Sequence, residues 1–260
     1  MRRAVTIVLL ALSAAACGGG SKDTGSTTTT RAASRAPSLT TAADRTLAAG
    51  TAGLRQTTAI VVGGSRIEAH DTGRITFDGR RAHLYKLNPG SNVPGEVIVD
   101  GPITYSNANA QAALSSAAVR PWTRLDTRAV SAQAKKNKPD ELSHVLVPAY
   151  LAYGARAVLL ARHVGDGALY WARIDPALVL RRVPPPRRAL VAKALRGDYP
   201  RSQFNAKLWI DGRDRIRRVI IAYQTADGTP VAIDTSYDRF GAPVDVTPPP
   251  ARDVKDITPR

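Results

Sequence analysis

The chain has 260 residues, with 37 Lys or Arg against 21 Asp or Glu, a formal charge of +16. Apolar residues make up 43%, which excludes a wholly disordered or collagen-like chain. One cysteine excludes an internal disulfide framework and a Cys-clustered zinc site. Four scattered histidines, His70, His83, His144 and His163, leave little material for metal chemistry, so no metal or cofactor is implied.

Residues 1–16 read as an export signal. Arg2 and Arg3 precede a 13-residue apolar run from Ala4 to Ala16. That run is shorter than the ~20 residues a spanning helix needs. Ala14-Ala15-Ala16-Cys17-Gly18 resembles a bacterial lipobox, in which the signal is cut before Cys17 and the cysteine is acylated. Ala14 stands where the common motif has Leu, and Ala14-x-Ala16 also suits ordinary cleavage of a secreted protein. Two features favour lipidation. Cys17 has no disulfide partner, and Gly18 to Ser38 is a tether of Gly, Ser, Thr, Ala and Arg with almost no large apolar residue, without the apolar content to fold. We therefore expect a signal peptide over 1–16, a flexible tether over 17–37 and one domain over 38–257. Two acyl chains would anchor Cys17 stably where one is marginal.

Without the signal the chain keeps 35 basic and 21 acidic residues. In an exported protein this charge faces anionic headgroups and acidic envelope polymers, or is simply a solvated Arg-rich surface. No zinc finger, Arg-Gly-Gly repeat or basic–aromatic interleaving points to nucleic acid.

Along the chain, Leu39 to Leu54 reads as a helix capped by Thr40 or Thr41. Residues from Thr57 to Tyr105 then form hairpin after hairpin, punctuated by Gly63-Gly64, Asp78-Gly79, Pro89-Gly90, Pro94-Gly95 and Gly101-Pro102. Between Pro139 and Tyr153, Leu142, Val145, Leu146, Ala149 and Tyr150 follow the i, i+3, i+4, i+7, i+8 pattern of an amphipathic helix, with Pro148 a kink. Ala157 to Val164 is an apolar run, and Leu169 to Asp175 a strand. Pro176 to Arg182 and Pro186 to Arg196 read as short helices. The last third alternates: Ala206, Leu208 and Ile210, then Val219, Ile221 and Tyr223, then Val231, Ile233, Thr235 and Tyr237. The tail from Val244 to Pro250 is extended. Strands, then helices, then strands define an α+β class with one antiparallel sheet and helices on one face.

Several stretches resemble the actinobacterial LppX–LprAFG lipoproteins, whose fold is LolA-like. They are Leu-Tyr-Trp-Ala-Arg-Ile-Asp at 169–175, Leu-Trp-Ile-Asp-Gly at 208–212 with Ile-Arg-Arg-Val at 216–219, and Phe-Gly-Ala-Pro-Val-Asp-Val-Thr-Pro-Pro at 240–249. Glu96 to Tyr105 and Pro121 to Asp126 fit that family's middle strands. The alanine-rich segment 111–154 departs from it. The resemblance implies a curved antiparallel sheet, an unclosed half-barrel, with helices packed on its concave face. It also implies acyl chains of a lipid or lipoglycan held in an apolar cavity between the two. The cavity candidates are Leu142, Val145, Leu146 and Tyr150 on the helix, and Leu208, Ile210, Val219 and Ile221 on the strands. The same residues also suit a plain core.

The expected function is a lipid-anchored protein on the extracytoplasmic face of the cell membrane. It would bind such a ligand and carry it across the envelope. The alternative is a lipid-anchored interaction protein with a filled core and an envelope protein partner. No Gly-x-Ser-x-Gly elbow or Ser-x-x-Lys motif is present, and Asp211, Asp214, Asp227, Asp234 and Asp238 lack EF-hand spacing, so no enzyme is expected. Arg181, Arg182, Arg187 and Arg188 are either a basic mouth or solvated helix ends.

Overall fold

The computed structural model describes residues 38–90, 93–107, 122–130, 142–164, 167–197, 199–225 and 227–259, with the backbone alone for 157–164. The expected signal, Cys17, the tether and most of segment 111–154 before residue 142 lie outside these residues.

Helix α1 (Leu39–Ala48) starts at Ser38, whose Oγ accepts from the Thr41 amide at 3.0 Å. The cap is thus Ser38, not Thr40 or Thr41, because Leu39 is already in the core at 5% exposure. The helix also stops earlier than its apolar spacing suggests. Gly50 takes φ +74°, the left-handed conformation that terminates a helix, and its amide bonds to Leu47 O. Leu54 therefore falls in strand β1 (Thr51–Val62).

Hairpins follow through β2 (Ser65–Thr76), β3 (Arg81–Leu87), β4 (Gly95–Asp100), β5 (Ile103–Ser106) and β6 (Trp122–Asp126). Helix α2 (Ser143–Tyr150) leads into a 3-10 turn (Leu151–Gly154). The tightening has a local cause. Pro148 has no amide to give the helix, and the next closing bond is Leu151 N–H to Pro148 O. The amphipathic expectation needs correcting: Val147 and Pro148 are buried along with Val145, Leu146, Ala149 and Tyr150. Beyond Ser143 and His144 in its first turn the helix is buried on every side, as an interior helix is. β7 (Ala155–Val164) and β8 (Gly167–Ile174) pair next. They are followed by α3 (Pro176–Arg182), α4 (Pro185–Gly197), β9 (Phe204–Ile210), β10 (Ile216–Gln224), β11 (Pro230–Asp238) and β12 (Val254–Asp256).

The strands form one sheet in the order β12-β6-β5-β4-β3-β2-β1-β11-β10-β9-β8-β7. Every pairing is antiparallel except β12 on β6, a short edge strand that follows the extended stretch from Val244 to Pro250. After β11 the chain crosses the outer face: Gly241 N–H bonds to Thr51 O, and Arg74 reaches Pro243 O at 2.7 Å. The two edges, β12 and β7, do not meet, and the sheet is an unclosed half-barrel. Helices lie on its concave face, the arrangement that the resemblance to LppX–LprAFG lipoproteins implies. The layers are pinned through buried hydroxyls. Tyr237 donates to Val145 O at 2.8 Å, and Tyr150 to Phe77 O at 2.9 Å. Thr46 Oγ1 accepts from Ile216 N–H at 2.7 Å.

Candidate functional site

The sheet register sorts the concave face into rows. At the closed end, Tyr237, Leu54, Gly73, Leu84 and Val97 stand in line across β11, β1, β2, β3 and β4. The four side chains in that row are 4% exposed or less, packed beneath the helices. Two residues further along each strand the row is polar: Thr235, Gln56, Asp71 and Lys86. Beyond it comes a mostly apolar row, Ile233, Thr58 and Ala69, and then Val231, Ile60 and Ile67.

A cleft of 810 Å³ opens between these outer rows and the helices. Its sheet wall includes Ile60, Ala69, Val231, Ile233 and Tyr223, and its helix wall includes Ser143, His144, Lys193 and Ala194. Gln56, Asp71 and Lys86 also line it, whereas Leu54, Leu84 and Tyr237 do not, so the cleft ends on the polar row. Its volume lies within the ~300–1,000 Å³ typical of small-ligand sites.

The polar residues are held by one another. Thr235 Oγ1 donates to Gln56 Oε1 at 2.9 Å, and Gln56 Nε2 donates to Thr58 Oγ1 at 3.3 Å. Asp71 Oδ2 faces His144 Nε2 at 3.2 Å, tying β2 to the first turn of α2. Ser143 stands beside His144 in sequence.

The structure brings the eight sequence-derived candidates together, but in the closed core. Leu142, Val145, Leu146, Tyr150, Leu208, Ile210, Val219 and Ile221 are each 3% exposed or less and belong to one cluster. None of them lines the 810 Å³ cleft. The Tyr150 hydroxyl is committed to Phe77 O, and burial pushes its pKa up to about 12. Val231, Ile233 and Tyr223 of the cleft lie on alternations read from the sequence, whereas Gln56, Thr58, Ala69 and Asp71 escape a search for apolar stripes because they are polar or small. One signal was available: Thr235 occupies an inward slot of the alternation Val231, Ile233, Thr235, Tyr237.

The remaining expectations sort simply. Arg187 bonds to Asp78 O at 2.7 Å and Arg182 to Tyr153 O, at the end of the half-barrel opposite the cleft. The cations lining the cleft are Lys86, Lys193 and Arg196. Trp171 and Trp209 cover the outer face, with Lys207 and Arg218 at 5.4 and 5.2 Å from their rings. Asp211 accepts from the Arg213 and Arg215 amides, and Asp227 from the Thr229 amide, which are turn duties. Among the described residues no group of three or more His, Cys, Asp or Glu side chains is placed to hold a metal ion. Nor is any described helix long and apolar enough to cross a membrane.

Fold and site together define an unclosed antiparallel half-barrel with a ligand-sized cleft under its helices. No family model and no curated protein matches the sequence. Among solved structures, the chain is similar to the lipoprotein LppX of Mycobacterium tuberculosis. The identity is 12% and the TM-score 0.45, over 81% of this chain and 99% of that one. It is also similar to a LolA superfamily protein from Nitrosomonas europaea, at 8% identity and TM-score 0.28, over 75% of this chain and 91% of that one. A third likeness is to the MucA/MucB complex of Pseudomonas aeruginosa, at 12% identity and TM-score 0.30, over 76% and 57% of the respective chains. These are likenesses of fold.

Proposed function

We propose that this protein binds an acyl-chain lipid or lipoglycan in the cleft under its helices and shields it in the cell envelope. The observation that carries the reading is the 810 Å³ space beside Ile60, Ala69, Val231, Ile233, Tyr223 and Ala194. Each methylene moved from water onto such a surface contributes ~0.8 kcal/mol, less the cost of ordering chain and walls. Binding, shielding and release need no covalent chemistry, so the protein acts as a carrier and not as an enzyme. In this reading the chain is exported, acylated at Cys17 and held at the extracytoplasmic face of the membrane. The tether after Cys17 gives the domain reach.

The test is native mass spectrometry of the full chain carrying Cys17→Ala, exported by a lipid-containing host. Bound masses that vanish on organic extraction and identify as acyl lipids are expected. A clean apo mass that stays apo when lipids are offered would overturn the carrier. That outcome would favour the second reading, an envelope interaction protein. The closed core formed by the eight candidates and the 41% exposure of Trp171 on the outer face favour it.

A further inference from the structure

The sheet continues past the mouth of the cleft as a bare hairpin. Strand β1 pairs with β11 only as far as Ile60, and β2 meets β3 only from His70. Past those rungs the β1–β2 hairpin is held by its own pairs, Val61 with Arg66 and Val62 with Ser65. Gly63 and Gly64 close it with φ of +58° and +83°, the two positive values of a type I′ turn. A Cβ at either glycine would meet nothing within 4 Å, so the turn stands clear of the other described residues.

The inner side of this tip is apolar. Ile60 and Ile67 are cross-strand partners on the cleft face, and Val62 lies two residues beyond Ile60 on that same face. With Val231, the partner of Ile60, they carry the apolar rows of the cleft out to the turn. Val62 is 52% exposed, the highest value among the large apolar side chains described. A lone exposed valine would need no explanation, but this one ends a continuous strip.

Cations frame the same end. Lys193 and Arg196 line the cleft from the last turns of α4. Arg201 lines an adjoining recess that shares Arg196, Gly197, Tyr199 and Tyr223 with the cleft. Arg66 stands beside the tip and donates to Glu68 at 2.5 Å. Asp227, in the β10–β11 turn, accepts from the Thr225 hydroxyl and the Thr229 amide. An apolar ridge between cations matches a lipid surface, where phosphates meet the cations and the ridge enters the layer beneath. A crest of small aliphatic side chains lacks the aromatic anchors that rigid protein interfaces favour. The 21 residues from Cys17 to Ser38 span up to ~70 Å when extended, so an anchor at Cys17 lets this end turn to the membrane.

We propose that the open end of the half-barrel docks on an anionic bilayer, with the Val62 tip in the headgroup layer and Lys193, Arg196 and Arg201 on the phosphates. The mouth of the cleft then faces the leaflet. The docking does not depend on what the cleft holds.

Cys17→Ala leaves the full chain without a cysteine. Val62→Cys in that background therefore takes a single environment-sensitive nitrobenzoxadiazole label at the tip. Ile257→Cys, at an exposed residue just after edge strand β12, is the control. Each is floated with vesicles of phosphatidylcholine, alone or equimolar with phosphatidylglycerol. With the anionic vesicles the Val62 label should brighten and shift to the blue in the floated protein, and the Ile257 label should not. Neutral vesicles should float less protein. Arg196→Gln should weaken binding to the anionic vesicles about fivefold, the share of one cation near such a surface. Val62→Asp, at a position exposed enough to spare the fold, should weaken it about tenfold. No shift at Val62, equal shifts at Val62 and Ile257, or no preference for anionic vesicles would overturn the docking and leave the acyl-chain reading standing. A Val62 shift in protein that does not float would mean lipid taken into the cleft, which overturns the docking and supports the carrier. A Val62 label that stays in water with vesicles but is shielded by a soluble envelope protein would give the tip to a protein partner and overturn it as well.

Discussion

Thr46 offers a sharp test of how helix and sheet are joined. Its hydroxyl donates to Ala42 O at 2.7 Å and accepts from Ile216 N–H at 2.7 Å, with Thr46 and Ile216 both at 0% exposure. Ile216 opens β10 next to a register shift between Ile216 and Arg218, and its amide takes a side chain as acceptor. Thr46→Val keeps the shape and removes the acceptor. The Ala42 carbonyl loses little, since a helical carbonyl keeps its i+4 amide. The Ile216 amide is left buried and unpaired, at a cost of ~1–3 kcal/mol. The added methyl returns at most ~0.8 kcal/mol. The expected net loss is ~1–2 kcal/mol, which for a domain of this size lowers Tm by roughly 2–8 °C. Thr46→Ser keeps the acceptor and gives up one methyl, so it should lose no more than Thr46→Val. Thermal unfolding followed by circular dichroism, with urea denaturation as a check, measures both. Thr46→Val as stable as the parent would refute the claim that this hydroxyl carries the Ile216 amide.

Two further outcomes concern stability. Gly154→Ala should cost ~1–3 kcal/mol or more by urea unfolding, because its Cβ would lie 2.3 Å from Val179 Cγ2 and 2.6 Å from Asp175 O, and the backbone atom cannot move aside cheaply; an unchanged midpoint would contradict that packing. Acid should unfold the protein. Hydrogen bonding from Arg128 lowers Asp126 to about 2. Burial raises Asp78 and Asp211, but the Thr76 hydroxyl, the Arg215 side chain and neighbouring amides bring both below the ordinary carboxylate value. These folded-state values lie below the unfolded ones, so their stabilisation is complete above the unfolded pKa near ~4 and is lost as pH falls through the folded values. Tm should be flat from pH ~7 to ~5 and drop between ~4 and ~2; a Tm that holds to pH ~2 would show that these pairs contribute nothing to folding.

What the sequence reveals follows from the range of each signal. Alternation is local, so β9, β10 and β11 are legible from residues such as Leu208, Val219 and Ile233. Turn chemistry is local too, and Asp78-Gly79 and Asp211-Gly212 mark hairpins. The overlong first helix came from apolar residues that continue into a strand: Leu54 keeps the spacing, but Gly50 reverses the backbone before it. The edge strand Val254–Asp256 was hidden because its partner Trp122 lies 132 residues earlier and the pairing has only three rungs. Of the polar row, only Thr235 shows in the sequence, as a polar slot in the alternation of β11. Thr235 and Gln56 are 179 residues apart, and only the β1–β11 pairing makes them neighbours.

That row also explains why an apolar search finds the closed half of the interior and not the cleft. The stripe through Leu142, Val145, Leu146 and Tyr150 is what a helix needs to bury itself on a sheet, and it is spent on that. Among the described residues the 810 Å³ cleft lies where the helices stop short of the sheet. There the walls must stay folded when empty, which favours small and self-bonded polar side chains such as Ala69, Ala194, Thr58 and Gln56 over bulky interdigitated ones. In an open cleft such polar groups can bond to one another and to water, so the wall stays satisfied without a helix packed on it. A row of Leu or Ile at Thr235, Gln56 and Asp71 would instead draw the helices down and extend the closed core through the cleft. The polar row is therefore the boundary that stops the core, and the same groups that hold it open face whatever enters.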